Sequence, residues 1–294
     1  MFNGFSQHDI PVAEGIKIHA KVGGSGPCVL LLHGFPQTHV CWHKIAPRLA
    51  EAFTVVATDL RGYGASSKPK GGHRHKNYSK RAMADDQVEV MRRLGFETFR
   101  VVGHDRGGRV AHRMALDHKD VVERLVLVDI APTATMYRAT DRAFAESYYH
   151  WFFLIQPHDF PERLIGADPE YFLRHTLKSW CKLDNAITPV AFDAYLASFK
   201  EREAIHAACE DYRAAATIDL KHDAADDASG NKIAAPLKVI WGARGTVGRQ
   251  FNVIATWQEK TVSSIEGVAL ECGHFVPEED PDGLLDALLP FIAG

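Results

Sequence analysis

A single aspartate, Asp105, lies in a pattern that could present it as a nucleophile. Glycines at positions 103 and 107 flank it in the arrangement G-x-nucleophile-x-G, directly after the short, mainly apolar run 99–102. Small residues on both sides allow a strand to turn sharply into a helix and to hold the middle side chain exposed. A carboxylate needs no deprotonation before it attacks. Asp105 therefore suits displacement at a saturated carbon through an alkyl ester, whereas serine or cysteine would indicate acyl transfer.

An ester on Asp105 would need a base to activate water, and histidine is the usual choice because its pKa lies near neutrality. Among sixteen histidines, His274 lies between the last strand pattern and the last helix pattern, where an enzyme with such an elbow presents its base. Asp129 ends the strand that follows the elbow helix and is predicted to orient His274. The alternative is that Asp129 only caps a turn. An acid of this kind often follows the penultimate strand instead, but this chain has a glycine there, Gly245.

The segment 33–36, His-Gly-Phe-Pro, follows the buried apolar run 28–32 and could supply backbone hydrogen-bond donors. In elbow enzymes one oxyanion donor comes from the residue after the nucleophile, and the other comes from a loop of this kind. The backbone N–H groups of Phe35 and Arg106 are therefore predicted to form an oxyanion hole. An ordinary strand-ending turn is the alternative for this segment.

Strand and helix patterns alternate in both end regions of the chain. Continuous apolar runs indicate buried parallel strands, and the alternation predicts an α/β fold with a mostly parallel sheet and helices on both faces. Helical spacing with many aromatic residues predicts an inserted helical cap. The predicted domains are a core at 1–133 and 225–294 and a cap at 134–224. Local patterns also predict a first strand at 16–22, a helix at 42–49 and a return linker at 222–232.

Length, charge and cysteine content argue against several classes of protein. The chain has 294 residues, 46% of them apolar, and a formal net charge of −3, which gives no overall attraction for nucleic acid. Its five cysteines form no C-x-x-C pair, which argues against a disulfide framework and a zinc site. Without a secretory pattern or a membrane-length apolar run, we expect a cytoplasmic protein that needs no metal and does not associate with a membrane.

Taken together, the motifs resemble haloacetate (fluoroacetate) dehalogenases of the α/β-hydrolase superfamily over nearly the whole chain. The elbow and the segment 33–36 are shared with epoxide hydrolases and haloalkane dehalogenases. The discriminating elements are Arg106 with Arg109, His150-Trp151 and Tyr212. The resemblance implies that the two arginines bind a substrate carboxylate and that His150, Trp151 and Tyr212 bind the departing halide. It also implies catalysis by Asp105, Asp129 and His274 without a cofactor, in a homodimer.

The chemistry of these residue types agrees with the resemblance. Arg106 and Arg109 are three positions apart on a predicted helix, so they can share a face and bind a carboxylate through paired N–H groups. Fluoride is a poor leaving group, and His, Trp and Tyr can each donate a hydrogen bond to it. We therefore expect hydrolysis of fluoroacetate or chloroacetate to glycolate and halide through an ester on Asp105. Residue types do not indicate which halogen is preferred.

Two other functions are compatible with parts of the pattern. An epoxide hydrolase uses the same Asp–His machinery with cap tyrosines that protonate the epoxide oxygen, and Tyr148 and Tyr149 could do this. Paired arginines beside the nucleophile are unnecessary for a neutral epoxide, however. A non-catalytic receptor with a hydrolase fold is the alternative from another class, and the presence of nucleophile, acid and base together disfavours it.

Overall fold

One eight-stranded sheet runs through the computed structural model, which describes residues 1–294. Its strands are β1 Ser6–Ala13, β2 Ile16–Gly23, β3 Cys28–Leu32, β4 Thr54–Thr58, β5 Phe99–His104, β6 Val122–Val128, β7 Leu237–Gly242 and β8 Ile265–Leu270. Their order across the sheet is β1-β2-β4-β3-β5-β6-β7-β8. The β1–β2 and β2–β4 pairs are antiparallel, and every other neighbouring pair is parallel. The predicted α/β fold with a mostly parallel sheet is therefore confirmed.

Fifteen α-helices accompany the sheet. The first three are α1 Ala46–Leu49, α2 Lys80–Arg93 and α3 Arg106–Asp117. Between β6 and β7 lie α4 Thr133–Arg138, α5 Arg142–Ser147, α6 His150–Phe153, α7 Phe160–Ala167, α8 Pro169–Trp180, α9 Pro189–Phe199, α10 Arg202–Ala214 and α11 Leu220–Ser229. The last four are α12 Thr246–Gln250, α13 Val253–Gln258, α14 Val276–Glu279 and α15 Pro281–Ala293. No helix is both long and apolar enough to cross a membrane.

The centre of the sheet positions the candidate site residues. All of β3 and most of β5 and β6 are buried, as continuous apolar runs predict for strands covered on both faces. Because β3, β5 and β6 are parallel neighbours, their carboxyl ends meet at one edge of the sheet. His33, Asp105 and Asp129 each follow one of these strands directly. The segment from α4 to α11, called the cap below, contains no strand.

Three local predictions were wrong. The first strand is β1, which precedes the predicted one and pairs with it antiparallel. The helix predicted at 42–49 is divided into a 3₁₀ turn at His39–Trp42 and α1, because Pro47 has no N–H group and is tolerated only in the first turn of a helix. The segment predicted as a linker at 222–232 instead belongs to α11 as far as Ser229. This helix ends at Gly230, whose φ of 69° is left-handed. The predicted boundaries of core and cap stay a prediction.

Candidate active site

Asp105 occupies a strained turn between β5 and α3. Its φ of 46° and ψ of −115° lie outside the regions that side chains other than glycine usually adopt. Glycines at both sides make the turn possible, because a Cβ at Gly103 would lie 2.5 Å from the Gly107 carbonyl oxygen, and one at Gly107 would lie 2.4 Å from that of His33. The turn aims the Asp105 carboxylate towards the cap, where it is 7% exposed. Strain of this kind is often found at functional sites.

The Asp105 carboxylate has a backbone donor on one side and an imidazole on the other. The Phe35 N–H donates to Asp105 Oδ2 at 3.0 Å, and His274 Nε2 lies 4.0 Å from the same oxygen. Burial alone would raise the pKa of Asp105, but the nearby charges of His274, Arg106 and Arg109 outweigh it and hold this pKa below its ordinary value. Asp105 is therefore ionised near neutral pH, as attack on carbon requires.

His274 and Asp129 meet, although 145 positions separate them in the chain. His274 Nδ1 donates to Asp129 Oδ2 at 2.6 Å, and the Gly242 N–H donates to Asp129 Oδ1 at 3.0 Å. Burial disfavours the charged imidazole, but the hydrogen bond and negative charge of Asp129 prevail and raise the pKa of His274. The remaining ring nitrogen faces Asp105. This arrangement can hold one tautomer of His274 and accept a proton at Nε2.

His104 contacts His274 from another side. Its Nε2 donates to the His274 carbonyl oxygen at 2.8 Å, and the centroids of the two rings are 4.8 Å apart. Burial and the neighbouring His274 lower the pKa of His104 to about 3. His104 therefore stays neutral and packs against the loop that carries His274, so it has a structural role.

Arg106 is entirely buried and is held by a partner that the sequence did not reveal. Its Nε and Nη2 donate to the two carboxylate oxygens of Asp211 at 2.9 and 2.8 Å. Asp211 also accepts from Lys80 Nζ and, at 2.7 Å, from the Tyr63 hydroxyl. Asp211 thus fixes the guanidinium, and Lys80 offsets the added negative charge. Of the three guanidinium nitrogens of Arg106, only Nη1 has no hydrogen-bond partner within the protein.

Arg109 is held by neutral groups instead. Its Nη1 donates to the Ala131 carbonyl oxygen at 3.1 Å and to Thr133 Oγ1 at 2.8 Å. The guanidinium carbon lies 4.8 Å from the centre of the Trp151 ring, close enough for a cation–π contact. Its buried Nε has no hydrogen-bond partner within the protein. Two guanidinium nitrogens, Arg106 Nη1 and Arg109 Nε, therefore remain without an acceptor, each on a side chain already fixed by other contacts. The charges of both arginines act on Asp105.

The three cap residues predicted to bind a halide lie together. His150 and Trp151 come from α6 and Tyr212 from α10, and all three are buried. The ring centroids of His150 and Tyr212 are 5.6 Å apart, and those of Trp151 and Tyr212 are 6.5 Å apart. Burial lowers the pKa of His150 well below its ordinary value, so the ring is neutral, and its Nδ1 has no partner within the protein.

The tyrosines considered for epoxide opening are placed very differently. Tyr148 is buried, with its ring centroid 6.5 Å from that of His274, whereas Tyr149 is 40% exposed. Tyr148 also lines a cavity of about 270 Å³ between the cap and the core. The lining of this cavity includes both the buried His274 and the exposed side chains of Lys182 and Arg249, so it connects His274 with solvent.

Two further side-chain groups have the composition of metal ligands: His19-His39-Asp59 and His158-Glu162-His206. In the first, His39 Nδ1 already donates to Asp59 Oδ1 at 2.8 Å. In the second, Glu162 accepts from His206 at 3.0 Å and from Arg213 at 2.7 Å. The carboxylates of Asp59 and Glu162 are therefore already hydrogen-bonded within the protein.

Comparison with known proteins agrees with this geometry. Residues 27–281 match a family described as the alpha/beta hydrolase fold. The chain belongs to the α/β-hydrolase family. A fluoroacetate dehalogenase from Burkholderia sp is 44% identical over 294 residues, covering 100% of this chain and 95% of that protein. The motif-based resemblance to haloacetate dehalogenases is thereby confirmed.

Other α/β hydrolases are also similar over nearly their full length. A soluble epoxide hydrolase from Corynebacterium sp. (strain C12) is 35% identical, with 97% of each chain covered. Among solved structures, an alpha/beta hydrolase from Nostoc sp PCC 7120 is 56% identical, with a TM-score of 0.96 and 99% of each chain covered. Overall similarity therefore places the chain in the family but leaves dehalogenation and epoxide opening to be distinguished by the site itself.

Proposed function

We propose that the protein hydrolyses haloacetates such as fluoroacetate and chloroacetate to glycolate and halide through an ester on Asp105. The proposal rests on two buried guanidinium nitrogens, Arg106 Nη1 and Arg109 Nε. Neither nitrogen has a hydrogen-bond partner within the protein, and the charges of both arginines act on the ionised carboxylate of Asp105. A buried cationic donor without an acceptor is costly, so such donors favour an anionic ligand. The similarity to a fluoroacetate dehalogenase supports the same conclusion.

In the first step, Asp105 attacks the α-carbon of the substrate and the carbon–halogen bond breaks. Arg106 and Arg109 bind the substrate carboxylate, which would otherwise be repelled by the anionic nucleophile, and hold the α-carbon in line with Asp105. The halide leaves with the bonding electron pair. Hydrogen bonds from His150, Trp151 and Tyr212 stabilise it, and their burial makes these bonds stronger than they would be in water.

In the second step, His274 accepts a proton from water through Nε2, and the water oxygen attacks the ester carbonyl carbon of Asp105. Asp129 stabilises the resulting imidazolium through its hydrogen bond to Nδ1. The backbone N–H groups of Phe35 and Arg106 stabilise the oxyanion. Phe35 N–H already donates to the Asp105 carboxylate, which supports this assignment. Glycolate then leaves and Asp105 is restored.

The direct test compares halide release with epoxide opening by the purified protein. We expect release of fluoride from fluoroacetate and chloride from chloroacetate, in each case with one equivalent of glycolate, and little opening of styrene oxide. Comparing the two haloacetates also determines the preferred halogen. Opening of styrene oxide without halide release would establish the epoxide hydrolase instead, whereas binding without turnover of either class would indicate a receptor.

Epoxide hydrolysis is the second candidate because Tyr148 is buried near His274 and a relative of 35% identity is an epoxide hydrolase. Tyr212 is another buried hydroxyl that could protonate an epoxide oxygen. A neutral epoxide gives the two arginine donors no anion to bind, however, which is why the haloacetate is preferred. A homodimer and a cytoplasmic location stay predictions from the sequence.

Replacement of Arg109 by glutamine tests recognition of the carboxylate. We expect kcat/KM for chloroacetate to fall by about 10²-fold, because a hydrogen bond to a charged group contributes up to about 3 kcal/mol. The uncharged chloroacetamide has the same carbon–chlorine bond and a similar size, so the selectivity for chloroacetate over chloroacetamide should fall in parallel. Arg109 suits this test better than Arg106, since its protein partners are mostly neutral and no buried carboxylate loses its cation. Unchanged selectivity would contradict the assigned role.

A further inference from the structure

Glu279, near the end of α14, accepts four backbone hydrogen bonds around His274. Its Oε2 accepts from Gly273 N–H at 2.9 Å, and its Oε1 accepts from Phe275 N–H at 2.9 Å. The same Oε2 also accepts from the N–H groups of Lys182 at 2.7 Å and Leu183 at 3.0 Å. The first two donors flank the base, and the other two belong to the segment that follows α8 in the cap.

The loop that carries the base is also in direct backbone contact with the cap. The His274 N–H donates to the Trp180 carbonyl oxygen at 3.2 Å. A Cβ at position 273 would lie 2.5 Å from that same oxygen and 2.8 Å from Glu279 Oε1, so only glycine allows this approach. Glu279 therefore connects three backbone segments: its own helix, the loop with His274 and the end of α8.

We propose that Glu279 is a positioning residue for His274, which holds the loop with the base against the cap and thereby sets the rate of ester hydrolysis. This inference rests on the function proposed above. Four backbone N–H groups donate to this one side chain, and Glu279 is only 8% exposed, so water competes weakly for its donors. No hydrogen bond joins Glu279 or its four donors to Asp105, so we expect its effect on the reaction to pass through His274.

Only one of the two chemical steps depends on this support. Attack by Asp105 on the α-carbon forms the carbon–oxygen bond and releases halide without using His274. Hydrolysis uses it: a water proton moves to His274 Nε2, the water oxygen bonds to Cγ of Asp105, and the bond from Cγ to the glycolate oxygen breaks as that oxygen takes the proton. A displacement of about 1 Å in a catalytic group can cost 10²-fold in rate. Loosening the loop should therefore slow the second step selectively.

The test uses the full chain with Glu279→Gln and Glu279→Ala. Glutamine has a single carbonyl oxygen, so its amide group must face at least one of the N–H donors that flank His274 or follow α8. With fluoroacetate, both variants should release one equivalent of halide at the wild-type rate and then turn over slowly. Intact mass should show the ester on Asp105. We expect ester hydrolysis to slow by about 10-fold in Glu279→Gln and by about 10²-fold in Glu279→Ala.

Lys44→Met is the matched control for loosening of the cap alone. Lys44 Nζ donates to the carbonyl oxygens of Ala186 in the cap and Glu278 in α14, each at 2.8 Å. It forms no hydrogen bond with Gly273 or Phe275, the two neighbours of His274. This variant should accumulate no ester. Equal slowing of both steps in Glu279→Gln, or ester accumulation in Lys44→Met as well, would overturn the positioning role in favour of general cap docking.

A His274→Ala variant separates failure of this inference from failure of the proposed function. If His274→Ala accumulates the ester and Glu279→Gln does not, the positioning role alone is wrong. If neither accumulates it, the proposed function fails, and the imidazole signal of His274 in the NMR spectrum decides the positioning role without any substrate. In Glu279→Gln this signal should broaden, because the ring is no longer held in one position, while in Lys44→Met it should not change. An unchanged signal in Glu279→Gln overturns the inference.

Discussion

A His274→Ala variant incubated with fluoroacetate is expected to gain the mass of one carboxymethyl group on Asp105 and to stop there. Asp105 is ionised and forms its ester without help from the base, whereas hydrolysis of that ester needs a proton acceptor beside the attacking water. The adduct should form with release of one equivalent of fluoride. Intact mass, followed by peptide mapping to locate the modification, measures the outcome.

Isotope labelling of the wild-type protein provides the complementary control. In one turnover in water enriched in the heavy oxygen isotope, the label should enter the Asp105 carboxylate, because water attacks Cγ of the ester. Label found directly in glycolate would mean that water attacks the substrate carbon. That result, or a folded His274→Ala protein that forms no adduct, would contradict the ester mechanism.

An Asp129→Asn variant is expected to lose ester hydrolysis by about 10⁴-fold, the size of effect seen when a base of this kind is held in the wrong tautomer. The structure gives the reason. Asp129 Oδ1 accepts the Gly242 N–H, so the oxygen of asparagine would stay there and its amide group would face His274 Nδ1. The amide donates to Nδ1, which moves the ring proton to Nε2. The base then has no free nitrogen for water.

The pH profile of the residual activity provides a second readout. Only neutral His274 can accept a proton, so the rate of ester hydrolysis rises with pH as the ring loses its charge. In the wild type Asp129 raises the pKa of His274, so this rise occurs at a higher pH than for an ordinary histidine. Without the carboxylate, burial dominates and the rise should move to lower pH. The first burst of halide should be unaffected in Asp129→Asn, and its loss would mean that Asp129 serves more than the base.

Structural features that depend on residues close together in the chain could be predicted from the sequence. The glycine pattern around Asp105 dictates a strand–turn–helix, because the close approach of neighbouring backbone leaves no room for a Cβ. Apolar runs indicated the buried parallel strands, so the carboxyl edge of the sheet and the residues that follow β3, β5 and β6 could be predicted as well. Motif similarity then added the cap residues, which no periodicity would have distinguished from ordinary aromatic packing.

Contacts between distant segments could not be predicted where no motif marked the two partners. Asp211 lies 105 positions from Arg106, and Lys80 lies 131 positions from Asp211, so no spacing rule connects them. Glu279 is near His274 in the chain, but its importance depends on the N–H groups of Lys182 and Leu183, 97 and 96 positions away. The helix boundaries near Pro47 and Gly230 were predicted wrongly for a different reason, because a single residue determines where each helix begins or ends.

The sequence by itself determined the α/β fold, the candidate nucleophile and the set of residue types available for chemistry, because turns and apolar runs depend on residues close together in the chain. Only the tertiary structure decided which polar groups remain free. Asp211 binds two of the three guanidinium nitrogens of Arg106, and Nη1 remains free. Ala131 and Thr133 hold Arg109, whose Nε remains free. Asp129 binds one nitrogen of His274, and the other nitrogen faces Asp105. The physical reason is that burial forces each polar group to find a partner, and folding brings these partners together from distant parts of the chain.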